Sequence, residues 1–299
     1  MCCYRSSVIE MSQQWDKILL YKDRSVSQCI ETTFDFMRQN RRAWFSSALT
    51  LLLPWSLLLG LSAFTPSDDE IGTEGLFFEM LFKWKGDSAP FFFPVLFIGV
   101  WMAYVHVYAL LTTYDERGEA INRLTQRQLW PAYWRMALRS SWLAVVFFLT
   151  AVAIFLSPAI LSLLLVVVMI PLSLLPSVSL FERAGVFKAV GKSLRLGFNA
   201  WFQLFFTIAL MVLFGFFMTM VIELPSSLFD LAFGALYGSG RSLGAVAVLF
   251  QYSFTALLYL GFFIVISMTL MAAAYQYGTV SERIDIASLE GDIRNFENL

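Results

Sequence analysis

The sequence predicts an all-α fold: a polytopic membrane helical bundle of six transmembrane helices in three hairpins, each hairpin preceded by a cytoplasmic amphipathic interfacial helix. Three observations carry this expectation. Charge is scarce, with 14% charged residues against 58% apolar in 299 positions, where a soluble domain carries about a quarter charged. Apolar runs reach the roughly 20 residues that a bilayer core of about 30 Å demands. Cationic stretches with helical periodicity recur on one side of those runs. The net charge of −1 gives no electrostatic case for a nucleic-acid partner.

The chain divides into a cytoplasmic N-terminal segment (1–25), three units (26–113, 114–181 and 182–275) and a cytoplasmic tail (276–299). Its opening "MCCYRSSVIE" has no apolar core that would make a signal peptide. Met11 reads as the start of translation, and the rival reading is an acyl anchor on Cys2 or Cys3. Together with Cys29 these cysteines fall before the first apolar run, so no disulfide framework is implied. Spans fit 44–64, 91–113, 201–224 and 243–275. Residues 141–181 form one apolar run of about twice the needed length. Ser157-Pro158 is its best breaker, which gives spans at 141–156 and 159–181, the second kinked or ended by Pro171 and Pro176.

Orientation follows from Lys and Arg. Seven precede residue 44, five lie in 114–140, four in 182–200 and two in the tail, eighteen on one side against Lys83, Lys85 and Arg241 on the other. By the positive-inside rule both termini are cytoplasmic, in a cell inner membrane. The 65–90 loop gathers acids and, with 225–242, is expected to lay short apolar helices on the outer surface.

The lead-ins to the spans share a design. Before the fifth, Phe187, Val190, Leu194, Phe198 and Trp201 recur at helical spacing with Lys188, Lys192 and Arg195 opposite. Before the first, Val26, Ile30, Phe34 and Met37 form the stripe, and Arg38, Arg41 and Arg42 supply charge. Ala43-Trp44-Phe45 then matches Ala200-Trp201-Phe202. A weaker copy before the third has Tyr133, Met136, Ala137 and Ser140 on one face and Arg135 and Arg139 on the other. These eight cations, from Arg38 to Arg195, are the expected contacts to anionic lipid headgroups, and the recurrence predicts an internal repeat.

The segment "GVFKAVGKSLRLGFNAWF", with Gly185, Ala189, Ser193 and Leu196 in a G-x-x-x-A-x-x-x-S-x-x-L pattern, resembles a group of bacterial six-span membrane proteins of undefined activity. That group is similar to the membrane domain fused to some glycerophosphodiester phosphodiesterases. The ending "YQYGTVSERIDIASLEGDI" and the N-terminal "FDFMRQNRRAWF" resemble members from the Bacteroidota. The resemblance implies the six-span architecture. It implies no phosphodiesterase activity, because the catalytic domain has no counterpart here.

Chemistry is sparse. Away from their edges the expected spans contain no Asp, Glu, Lys or Arg, which argues against a proton or sodium relay. The single histidine, His106, has no second histidine with which to build a metal site, and reads either as a hydrogen-bonded imidazole between helices or as a polar contact in a cavity. Gln251, Thr255 and Tyr259 share a helix face beside Tyr252, and Gln203 and Thr207 are placed to meet them. His106, Gln203, Gln251, Tyr252 and Thr255 are therefore the candidate cavity lining. No phosphate loop, nucleophile elbow or zinc spacing occurs, and no cofactor or metal is expected. The expectation is a non-enzymatic scaffold or accessory protein of the envelope, with membrane lipids and a protein as partners. The alternative is a transporter or lipid-handling protein with a cavity between the units.

Overall fold

The computed structural model describes residues 17–61, 89–117, 121–156, 167–182, 184–237 and 245–285. Among them the fold is all-α: α1 (Val26–Gln39), α2 (Arg41–Leu51), α3 (Leu53–Leu61), α4 (Ala89–Arg117), a 3-10 turn (Ile121–Arg123), α5 (Gln126–Leu156), α6 (Leu175–Phe181), α7 (Val186–Asn199), α8 (Trp201–Tyr237) and α9 (Ala245–Asp285). Among the described residues four stretches are long and apolar enough to cross a membrane: Arg41–Leu61, Pro94–Arg117, Trp201–Pro225 and Leu249–Ile284. The Ser157-Pro158 turn, most of the 65–90 loop, Lys83, Lys85, Arg241, Cys2, Cys3 and Met11 lie outside the described residues.

The long helix α9 organises the bundle. It packs against α8, α3, α4 and α1. Glycines on α8 and α9 let these two approach closely, Gly215 against Val265 and Gly261 against Ile222. From Met271 to Ser281 every residue of α9 is buried, so the helix is enclosed on all sides there. Residues 276–281, expected to begin a cytoplasmic tail, thus lie in the core, and the helix runs on to Asp285. The polar groups this encloses are hydrogen-bonded, Gln276 to Gln203, Tyr277 to Glu182 and Thr279 to the Lys22 carbonyl, which makes the all-round burial feasible.

Part of that enclosure is an extended strap, residues 17–25. Thr279 Oγ1 donates to the Lys22 carbonyl (3.2 Å), and Arg283 Nε meets Asp23 Oδ1 at 2.6 Å. Gly278 has to be glycine, since a Cβ there would collide with the Leu20 carbonyl. Arg24 is buried, donates to the carbonyls of Leu19, Leu20 and Lys22, and lies 5.4 Å from the Tyr275 ring centroid. The strap also reaches α4, through Ile18 N to Tyr114 Oη (3.0 Å) and Lys17 to Asp115 (3.6 Å).

The helices before the apolar stretches begin and end alike in two cases. Helices α1 and α7 are each 14 residues long. They end at Asn40 (φ −111°, ψ 26°) and Ala200 (φ −116°, ψ 23°), after which α2 and α8 start in a new direction. Ser25 begins α1 with a capping box to Gln28, and Thr125 N donates to Gln128 Oε1 at the start of α5. Buried positions coincide when Ser25, Thr125 and Gly185 are superimposed: Cys29, Leu129 and Ala189; Thr33, Tyr133 and Ser193; Phe36, Met136 and Leu196; Asn40, Ser140 and Ala200. In that register Trp44 falls opposite Leu204 rather than Trp201, so the Ala-Trp-Phe match in sequence is one turn out of step.

The buried face of α7 is small rather than aromatic. Ser193 Oγ donates to the Pro171 carbonyl (2.9 Å), and a Cβ on Gly197 would collide with Pro171. Of the apolar stripe, Phe187 and Phe198 point outward, while Val190 and Leu194 are half-buried. On α1, Phe34 of the corresponding stripe meets the Phe214 ring at 5.4 Å. Two further differences and one agreement concern continuity. Helix α5 runs unbroken through Ser140, so the third lead-in and its span are one helix of 31 residues, about 46 Å long. Residues 225–237 continue α8 past Pro225. The segment before α6 breaks at 173–174, between Pro171 and Pro176, as the two prolines predict.

Candidate functional site

Polar side chains gather in three places. The first joins α2, α4 and α5. His106 is fully buried, its Nδ1 2.8 Å from Ser47 Oγ, and its ring centroid 4.4 Å from that of Trp44. Ser47 also donates to the Trp44 carbonyl (3.0 Å), and Tyr133 Oη donates to Gln126 Oε1 (3.4 Å). With the Ser47 proton on that carbonyl, His106 Nδ1–H is the donor to Ser47, and Nε2 is left as an acceptor. Neither His106 Nε2 nor the buried Trp44 Nε1 has a hydrogen-bond partner. Nearby, Trp101 Nε1 donates to Ser140 Oγ (3.0 Å) beside a cavity of about 20 Å³ between α4 and α5. That is room for a single water.

The second cluster surrounds the enclosed part of α9. Tyr277 Oη donates to Glu182 Oε1 (2.5 Å), which also accepts Lys192 Nζ at 2.7 Å. Rings of Tyr108 from α4, Phe181 from α6 and Tyr277 from α9 follow one another at 5.8 and 6.1 Å and fill the space between these helices. Tyr108 Oη and Ser177 Oγ are 2.9 Å apart. On the α8 side Gln276 Nε2 donates to Gln203 Oε1 (3.2 Å). Burial raises the Tyr21 hydroxyl and Cys29 thiol pKa values and lowers that of the Arg24 guanidinium. Sequence reasoning missed Arg24, Glu182 and Gln276. The one legible signal was the tyrosine-rich "YQYG", noted as a resemblance and not as a hub.

The third place is the other half of α9. Tyr252 Oη donates to the Leu57 carbonyl (3.0 Å) and Thr255 Oγ1 to the Gln251 carbonyl (3.0 Å). Gln251 and Gln276 are 25 positions apart on one helix, about 37 Å. Gln203 and Thr207 therefore meet Gln276, not Gln251 or Thr255, and His106 meets Ser47. The five candidate lining residues fall into three separate settings.

Of the expected headgroup cations, Arg38, Arg41, Arg42, Arg135, Arg139, Lys188 and Arg195 have outward-facing side chains. Lys192 is half-buried and committed to Glu182. No cluster of three or more His, Cys, Asp or Glu able to hold a metal occurs among the described residues. Comparison with family models, with curated proteins and with solved structures finds no match.

Proposed function

We propose that this chain is a non-enzymatic integral protein of the inner membrane, a six-span scaffold whose three units are ringed on the cytoplasmic side by a basic, lipid-binding collar. The observation that carries this reading is the outward face of α7. Phe187 is 93% exposed and stands beside Lys188, while the small residues on the other side of the helix are buried. A fully outward phenylalanine is unfavourable in water and favourable at the boundary between headgroups and acyl chains, where the adjacent cation meets phosphate.

Parity supports the span count. Asp23 touches Arg283, Ile18 touches Tyr114 and Glu182 touches Tyr277, so these points lie on one side. An even number of crossings separates each pair, which allows four in total or six. The length of α5 beside α4 favours six. The common burial register of α1, α5 and α7 supports a three-unit repeat. In the segment that resembles the bacterial six-span group, Gly185 is an N-cap and Ala189, Ser193 and Leu196 form the buried face.

The collar is tested by lipid that copurifies with the protein. Wild type is expected to retain phosphatidylglycerol in native mass spectra, and a Phe187→Ser, Lys188→Glu variant to lose it. Equal retention refutes the collar. Sustained solute flux through proteoliposomes refutes the scaffold. A lipid-handling role is the second reading, favoured by outward arginines on α5.

A further inference from the structure

We infer that the outward face of α5 is a lipid-phosphate site set below the headgroup plane, where Arg135 and Arg139 draw phospholipid headgroups into the bilayer. The inference rests on the lipid-handling reading and names its ligand. Depth comes from neighbours. Ser140 is hydrogen-bonded to Trp101, and Phe148 meets Phe97 with ring centroids 5.2 Å apart, so α5 runs antiparallel beside α4. The polar end of α4 begins at Tyr114, 13 positions from Trp101, about 20 Å along the helix. Arg139, adjacent to Ser140, is therefore about two-thirds of the way across a core about 30 Å thick, and Arg135, about 6 Å nearer the cytoplasm, is close to its middle.

Both arginines face outward, as do Trp130 (53% exposed), Trp134 (63%) and Leu138 (71%). No carboxylate among the described residues pairs with either arginine. An arginine in hydrocarbon is costly, and the bilayer relieves that cost by thinning and by admitting water and headgroups. The guanidinium binds phosphate in a planar, bidentate manner. A second copy of the chain is a poor occupant, because twofold contact through this face would bring the same cations together. Trp130 and Trp134, on the cytoplasmic side of the arginines, suit the boundary that descending headgroups would create. The unbroken course of α5 is what creates the site: a break at Ser140 like those at Asn40 and Ala200 would turn these arginines away from the bilayer core.

The test places a nitroxide at Leu138→Cys in the full-length protein with Cys2 and Cys3 changed to serine and Cys29 to alanine. It is reconstituted in vesicles of phosphatidylcholine with phosphatidylglycerol. Phosphorus ENDOR is expected to detect lipid phosphate at this label, with loss of the signal in Arg135→Leu/Arg139→Leu and retention in Arg135→Lys/Arg139→Lys. Absence of phosphorus coupling with both arginines present, or a signal indifferent to their replacement by leucine, overturns the inference. So does a label shielded from both oxygen and an aqueous nickel complex, which would mean protein covers the face. A second label at Val145→Cys separates this failure from failure of the membrane reading: contact with the nickel complex and not with oxygen there would show that α5 is not in lipid at all.

Discussion

Gly278 and Arg24 show how much can hang on single atoms. The strap passes so close to α9 that a methyl group at 278 would displace it, while Arg24 ties three of the strap's own carbonyls into a turn. Gly278→Ala is expected to lower stability by about 1–3 kcal/mol, the usual range for forced overpacking, read as a fall in Tm in detergent. Cys29 offers a second readout. Its buried thiol has a raised pKa, so less thiolate is present near neutral pH and maleimide labelling is expected to be slow. In Gly278→Ala the labelling rate should rise as the strap lifts, and unchanged labelling with unchanged Tm would show that the strap does not cover this site. Glu182 is comparably placed, since it accepts from both Tyr277 and Lys192. Glu182→Leu is expected to cost about 1.5–3 kcal/mol, measured by thermal unfolding, through loss of hydrogen bonds to a charged group.

Among elements, the junctions after α1 and α7 have the same backbone geometry built from different side chains. Asn40 is buried, donates to the Phe36 carbonyl (3.2 Å) and accepts from Ile121 N (2.8 Å), pinning the 3-10 turn to the start of α2. Ala200 makes the same break with no side-chain bond of its own. Asn40→Ala should therefore destabilise by about 1–3 kcal/mol, because Ile121 N is left buried without an acceptor. Exposed Asn199→Ala should stay within about 0.5 kcal/mol of wild type. Paired thermal melts decide this, and equal effects would deny Asn40 its bridging role. The amphipathic lead-ins were legible as periodicity, but which face was buried was not. Periodicity set Phe187 on the apolar stripe opposite the cations; the close approach of α7 to Pro171 requires small residues on the buried face and leaves that ring outside.

At the scale of the whole molecule, contacts between distant segments constrain topology more tightly than hydropathy does. The strap, the end of α4, Glu182 and the end of α9 form one continuous layer. Single cysteines at Lys22, Glu116 and Lys188 should then react with an impermeant maleimide from the same side, the cytoplasmic one by the count of cations. Labelling of any one from the opposite face would refute the shared layer. Of the candidate site residues, His106 lies in the joint of α2, α4 and α5, whereas Gln203 and Gln251 belong to opposite halves of α9's surroundings.

Composition and spacing by themselves determined the helical class and the long apolar stretches, because each depends only on residues near in sequence and on the thickness of a bilayer. They also located the proline break before α6. Only the tertiary structure decided that 276–281 is core, that Lys192 is held by Glu182, and that Arg135 and Arg139 ride on an unbroken helix beside α4. Those outcomes depend on which surfaces meet, and hydrophobic periodicity is silent on pairing: it says that a face is apolar, not whether lipid or another helix will cover it.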